Sequence, residues 1–307
     1  MADNDSALAA FRNWQGAPMA LATVISTWGS APRPRGSHML VHADGRMEGS
    51  VSGGCVEGDV LMLAADVIGS GRTERRRYGV ADGAAWDVGL PCGGTIEVLV
   101  QPVGDNGFPS DLFEAIEQAR REGRSVTVHT DLATGRSGLA PLANETSFAN
   151  RYAASRQLLI VGAVQIAQSL AKIGEALGVR SIIIDPRDRF LTQERFPGIT
   201  LDDRWPDEAV AAYRPGPSTA VVTLSHDPKI DDPALIAALS AHTGYIAALG
   251  SRRSHAARLE RLAAQGIGPA DLERIDGPAG IDIGALGAAE IALSVAAGMI
   301  KALHDRS

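Results

Sequence analysis

Three residue classes are scarce in this sequence. Two of its 307 residues are cysteine, lysine occurs three times, and aromatic side chains make up 5%. Two cysteines cannot staple a chain of this length, and a chain this long buries a real core without staples. No apolar run approaches the ~18 residues that a membrane helix needs. A basic excess is missing too: 29 Lys and Arg face 36 Asp and Glu, for a net charge of −7 and a pI near 5.5. That balance excludes a nucleic-acid backbone as the main ligand, because phosphate tracking needs a basic footprint. Met1 to Asp5 lack the basic-then-apolar layout of a signal peptide, so the chain reads as cytoplasmic, with reduced thiols.

Glycine is what the sequence has in quantity, at 34 residues, and both cysteines sit beside glycine pairs: Gly53-Gly54-Cys55 and Cys92-Gly93-Gly94. The length predicts two domains. In the first part, residues 4–15 read as a helix and Pro18 to Trp28 as a buried, β-branched strand. The loop Gly29-Ser-Ala-Pro-Arg-Pro-Arg-Gly36 is excluded from helix and central strand by its prolines. Val56, Val60, Leu63, Ala64 and Val67 then mark one apolar helical face, so the Gly53-Gly54-Cys55 segment stands at a helix N-terminus. Strands follow at 74–78 and 95–100, a helix at 111–121 and a strand at 125–129. Weak periodicity over 131–156 places the linker there, which divides the chain into 1–150 and 151–307.

The second part alternates short apolar strands (158–161, 181–184, 220–224, 245–249) with helical segments at about 165–177, 233–241 and 254–265, then a final helix at 287–303. Asp232-Pro233 supplies a cap followed by a first-turn proline. Such alternation implies a parallel sheet covered on both faces, a Rossmann-like domain. The fold class is therefore α/β: a C-terminal Rossmann-like domain behind an N-terminal mixed α+β domain.

Ser50-Val-Ser-Gly-Gly-Cys-Val-Glu-Gly58 carries the most chemistry. A thiol at a helix N-terminus meets the positive end of the helix dipole and unpaired N–H groups, which favour the thiolate, and the glycines let a bulky ligand approach the backbone. The plain alternative is a small cysteine that packs where the helix meets its neighbours. Cys92 precedes a strand in a second glycine-rich turn. With 36 residues between the thiols and no Cys-x-x-Cys, a structural zinc site is disfavoured, whereas two soft donors suit molybdenum, copper or persulfide sulfur. Arg33 and Arg35, on a proline-stiffened loop, fit an anionic phosphate or are a solvated surface. Arg75-Arg76-Arg77 reads as a solvated sheet edge.

Leu158 to Ala167 has the strand, turn and helix of a dinucleotide fingerprint. Gly162 and Ala163 form its turn, and Asp185 sits where a ribose-binding acid would. This supports NAD(P) binding and an NAD(P)-dependent oxidoreductase, but Val164 stands where a glycine normally lets pyrophosphate reach the backbone. Ser251-Arg252-Arg253-Ser254 is a candidate anion turn.

Taken in order, these blocks resemble the XdhC/CoxI accessory proteins of molybdenum hydroxylases. The resemblance rests on Ala22–Gly36, Gly49–Glu57 and Pro91–Glu97, then on Leu224–Asp232, Tyr245–Arg253 and Gly277–Ala285, about nine tenths of the chain. It implies an accessory factor rather than an enzyme with its own substrate. Such a factor binds sulfurated molybdenum cofactor, as molybdopterin or its cytosine dinucleotide form, beside a cysteine desulfurase. It then delivers the cofactor to an apo hydroxylase of the xanthine dehydrogenase type, usually as a homodimer. By carry-over the cofactor-binding residues are Cys55 with Gly53 and Gly54, then Cys92 with Gly93, and Arg33 and Arg35. Two departures weigh against a nucleotide-linked role: Gly162-Ala-Val-Gln165 replaces Gly-Ala-Gly-His, and Asp276 replaces a histidine.

Overall fold

The computed structural model describes residues 5–79, 93–142 and 146–305. The chain forms two compact units, Met1–Ala154 and Ser155–Ser307.

In the first unit, α1 (Asp5–Asn13) leads into β1 (Met19–Trp28), β2 (His38–His42) and β3 (Met47–Gly49). Then come α2 (Glu57–Ser70), β4 (Glu74–Tyr78), β5 (Thr95–Pro102) and α3 (Ser110–Arg121), and finally β6 (Val126–Asp131), β7 (Ser137–Gly138) and β8 (Ser147–Tyr152). An antiparallel sheet has the order β3-β2-β1-β5-β4, and a smaller one the order β7-β6-β8. The period-2 alternation of β1 decides which face meets what. Ala20, Ala22 and Val24 pack with Val60, Leu63, Ala64 and Val67 of α2, while Met19 and Leu21 pack with Phe11, Phe113, Ile116 and Val128. A register shift between Val24 and Ser26 re-aims the end of β1, whose last three residues emerge exposed.

Residues 131–156, expected to be a linker, instead hold β7 and β8. β8 alternates buried Phe148 and Tyr152 with solvent-facing residues, so its polar half hides the strand signal. The Arg75-Arg76-Arg77 run does lie on an edge strand, β4, where Arg76 bonds Asp59 at 2.8 Å.

The second unit comprises β9 (Gln157–Val161), α4 (Gln165–Ala176), β10 (Arg180–Ile184), β11 (Thr200–Asp202), α5 (Pro206–Ala212) and β12 (Thr219–Thr223). It continues through α6 (Pro228–Leu239), β13 (Tyr245–Ala248), α7 (Arg252–Ala264), α8 (Pro269–Leu272), β14 (Ile275–Asp276) and α9 (Ala288–Asp305). The sheet is parallel, in the order β11-β10-β9-β12-β13-β14. Leu158 and Ile160 of β9 face α4 and α9; Leu159 and Val161 face α5 and α6. This is the doubly covered parallel sheet that the continuous apolar strands predict.

α6 starts five residues earlier than expected. Asp227, not Asp232, is its cap, accepting the Lys229 N–H at 2.9 Å ahead of Pro228. Asp232 lies inside the helix, paired with Arg261 at 2.8 and 3.0 Å, and Pro233 is tolerated in the second turn. No helix among the described residues is long and apolar enough to cross a membrane.

Candidate functional site

Residues 50–56 form a loop between β3 and α2 that wraps the carboxylate of Glu57. Its Oε1 accepts from Ser50 Oγ at 2.5 Å, Ser52 N at 2.9 Å and Val51 N at 3.2 Å. Oε2 accepts from Gly54 N at 2.8 Å and from the Ser52 hydroxyl. Burial alone would raise the Glu57 pKa, but the hydroxyl and N–H donors outweigh it and hold the carboxyl at about 2. The loop turns outward at Gly53 and Gly54, with φ of +74° and +114°, values that side chains rarely adopt. Gly53, Gly54 and Cys55 are exposed while Ser52 and Val56 on either side are buried. Cys55 is thus a presented thiol rather than a packing cysteine.

Two further glycine-rich segments come to this loop. A Cβ placed on Gly94 would lie 2.8 Å from the backbone of Ser30, and one on Gly29 would lie 3.4 Å from Gly94 Cα. A Cβ on Gly53 would approach Pro32 of the same loop at 3.9 Å. The loop at 29–32 therefore borders both Gly53 and Gly93-Gly94, segments roughly forty residues apart in the chain. Among the described residues, nothing lies within 4 Å of a Cβ placed on Gly54 or Gly93. Cys92 lies outside the described residues; its neighbour Gly93 is exposed, with φ of +74°.

Arg33 is half-buried and Arg35 exposed. Arg35 folds back: its Nε donates to the Ile25 carbonyl at 3.0 Å, and its guanidinium lies 4.7 Å from the Phe148 ring centroid. The far end of the loop is braced from β8, where Asn150 Nδ2 donates to the Gly36 carbonyl at 3.3 Å. Below it His38 is buried between Thr23 Oγ1 at 2.9 Å and Tyr152 OH at 2.6 Å. Desolvation lowers the His38 pKa to about 4, so the ring is neutral at physiological pH.

In the second unit the expected turn after β9 is present, and its groups bond within the chain. Gly162 adopts φ +105°, and a Cβ there would lie 2.8 Å from Ser225 N, so the turn after β12 sits against the turn after β9. Asp185 is fully buried. Its Oδ2 accepts the Ala163 N–H at 2.7 Å and Arg187 Nη2 at 2.8 Å; its Oδ1 accepts Arg187 N and Nε at 3.0 and 2.9 Å. Burial raises its pKa, and the Arg187 and Ala163 bonds overcome that to leave it below the usual carboxylate range. The acid expected to meet a ribose instead closes the turn from inside. Ser251 is likewise accounted for as the cap of α7, bonded to Ser254 in a capping box. Among the described residues no cluster of His, Cys, Asp or Glu is arranged to hold a metal ion.

Sequence reasoning overlooks Glu57 as the residue that organises this loop. Its signal is an acid in the first helical turn after a Ser- and Gly-rich loop, a pattern that normally marks a cap.

Residues 158–299 match the family model described as the XdhC Rossmann domain, and residues 14–79 match that of the XdhC and CoxI family. The molybdenum cofactor insertion chaperone PaoD of Escherichia coli is 33% identical, over 90% of this chain and 81% of its own. This chain belongs to the XdhC and CoxI family. A second relative, a probable xanthine dehydrogenase subunit of Bacillus subtilis, is 26% identical over 92% of both chains. A crystal structure described as that of a xanthine dehydrogenase of Bacillus halodurans shares the fold at a TM-score of 0.83 and 24% identity, covering 98% of this chain and 97% of that one. The XdhC/CoxI resemblance read from the motifs and the Rossmann-like second half both hold.

Proposed function

We propose that this protein is a molybdenum-cofactor maturation chaperone, holding sulfurated molybdopterin or its cytosine dinucleotide form as cargo and passing it to an apo hydroxylase of the xanthine dehydrogenase type. The observation that carries the reading is the meeting of Gly53-Gly54-Cys55, the 29–32 loop and Gly93-Gly94, with the Cys55 thiol exposed among them. Among the described residues, the bare backbone at Gly54 and Gly93 has no close neighbour, which suits the approach of a large ligand, and a cysteine sulfur is a soft donor suited to molybdenum. The 33% identity to a cofactor insertion chaperone supports the same reading.

In this reading Cys55 is the primary holding residue and Cys92 the second. Arg33 is assigned to the cofactor's phosphate, since the fork of a guanidinium suits that anion, while Arg35, bonded back to Ile25 and stacked on Phe148, steadies the loop. The bound cargo supplies the molybdenum centre that the client enzyme later uses. The chain's own residues only bind, orient and shelter it, so the protein is an accessory factor and not an enzyme. A cysteine desulfurase and a second copy of the chain complete the proposed partner set.

Equilibrium titration of the full chain with isolated molybdenum cofactor tests this. Micromolar or tighter binding, weakened by Cys55→Ala, is expected; no saturable binding sinks the proposal. The competing reading, an NAD(P)-dependent oxidoreductase, draws on the Rossmann-like sheet; the buried, internally bonded Asp185 speaks against it.

A further inference from the structure

Residues 51–56 turn their N–H groups inward with one exception. The N–H groups of Val51, Ser52 and Gly54 go to the Glu57 carboxylate directly. Those of Gly53 and Val56 go to it through a relay: Ser50 Oγ accepts Gly53 N at 2.8 Å and Ser52 Oγ accepts Val56 N at 2.9 Å, while both hydroxyls donate to Glu57. One buried carboxylate thus engages five of the six N–H groups from Val51 to Val56 and both serine side chains. Among the described residues the sixth, the N–H of Cys55, meets no acceptor. It belongs to the residue whose thiol is exposed, next to the bare backbone of Gly53 and Gly54.

We propose that Glu57 is the positioning residue of this site, and that the loop it holds offers the Cys55 N–H together with the Cys55 thiol to an anionic oxygen or sulfur atom of the ligand. The inference rests on reading the first unit as the cofactor-binding one and adds what that reading lacks: a reason why the thiol discriminates. A thiol alone takes any soft centre. A thiol with an adjoining main-chain donor favours a soft centre that carries an acceptor atom, because an oriented N–H stabilises negative charge without reorganising. The molybdenum cofactor meets both conditions through its metal and its oxo or sulfur atoms.

The geometry makes Glu57→Gln a sharp probe. Oε1 accepts three donors and Oε2 two, so an amide NH2 in either place sets donor against donor. Ser52→Ala is the milder companion, removing one donor to Glu57 and the acceptor of Val56 N. The full chain and both variants are titrated with isolated molybdenum cofactor, and iodoacetamide labelling of Cys55 is followed by mass spectrometry with and without it. Thermal denaturation is recorded alongside.

In the wild type, the cofactor binds and shields Cys55 from labelling. In Glu57→Gln, affinity falls about tenfold or more, the scale of one charge-assisted hydrogen bond, and shielding is lost in a protein that still melts cooperatively. Ser52→Ala falls between the two. Binding and shielding within about twofold of wild type in Glu57→Gln overturn the role of Glu57 while leaving the cofactor reading intact, since twofold lies well below one such bond. If Glu57→Gln does not fold, Ser52→Ala decides by the same criterion. Failure of the wild type to bind removes both the reading and this inference.

Discussion

The carboxylate of Asp185 accepts the main-chain N–H of Ala163 at 2.7 Å, across the turn where a dinucleotide-binding Rossmann fold would seat its pyrophosphate. A fixed negative charge therefore lies beneath that turn, and Arg187 closes over it with three bonds. The fold is Rossmann-like, and the acid at the end of β10 already has its oxygens bonded to the chain's own N–H groups and guanidinium.

Calorimetric titration of the protein with NAD(H) and NADP(H) is accordingly expected to give no saturable heat up to millimolar ligand. A dissociation constant below about 1 mM, equivalent to more than about 4 kcal/mol of binding, contradicts this account of the second unit. Asp185→Ala should not create a site. It should instead destabilise by about 3 kcal/mol, because it leaves the Arg187 guanidinium and the Ala163 N–H without their acceptor.

His38 gives the first unit a pH dependence of defined sign. Burial lowers its pKa from 6.5 to about 4, so between these values the unfolded chain takes up a proton that the folded chain refuses. Stability is full above pH 6.5 and falls as the pH drops toward 4, by about 2 kcal/mol at pH 5. Urea unfolding at pH 7 and pH 5 should show this loss in the wild type. His38→Gln should be weaker at pH 7, having disturbed the contacts to Thr23 and Tyr152, but should lose correspondingly less between the two pH values. An identical loss in the variant would assign the effect elsewhere.

Gly93 and Gly94 separate two kinds of glycine requirement. Gly93 adopts φ +74° with no described neighbour within 4 Å of a Cβ, so Gly93→Ala should cost about 1 kcal/mol of backbone strain. Gly94 has no such dihedral, yet its Cβ would lie within 2.9 Å of the Ser30 carbonyl and the Ala31 nitrogen. Gly94→Ala must push the 29–32 loop off the strand end, with a cost of about 2–4 kcal/mol and loss of cofactor binding. Equal behaviour of the two variants in denaturant titration would show that the 29–32 loop does not rest on Gly94.

Much of this is legible because residue type alone restricts conformation. Gly53-Gly54 before an apolar helical face announces a turn with positive φ, and the exposed Cys55 follows from it. The continuous apolar strands 158–161 and 220–224 announce a sheet covered on both faces. Glu57 is harder to read, since its importance comes from five donors converging on it in space. Nothing in the spacing reports that Pro32, Gly53 and Gly94 meet, as this is a tertiary contact between distant segments. Asp185 reads as a ribose ligand because its position matches; the signal against it is local, an arginine two residues on. The same Asp-x-Arg arrangement recurs at Asp202 and Arg204, with the N–H and guanidinium again directed at the carboxylate, and marks a strand end that closes on itself. β8 and the true start of α6 escape for simpler reasons, a half-exposed strand and two Asp-Pro pairs five residues apart.

The most direct test of the central claim is site-resolved alkylation of Cys55 in the full chain, with and without a stoichiometric excess of isolated molybdenum cofactor. The account predicts that Cys55 labels readily in the free protein and is protected, in proportion to occupancy, when the cofactor is present. Saturating binding that leaves the Cys55 labelling rate unchanged would contradict it.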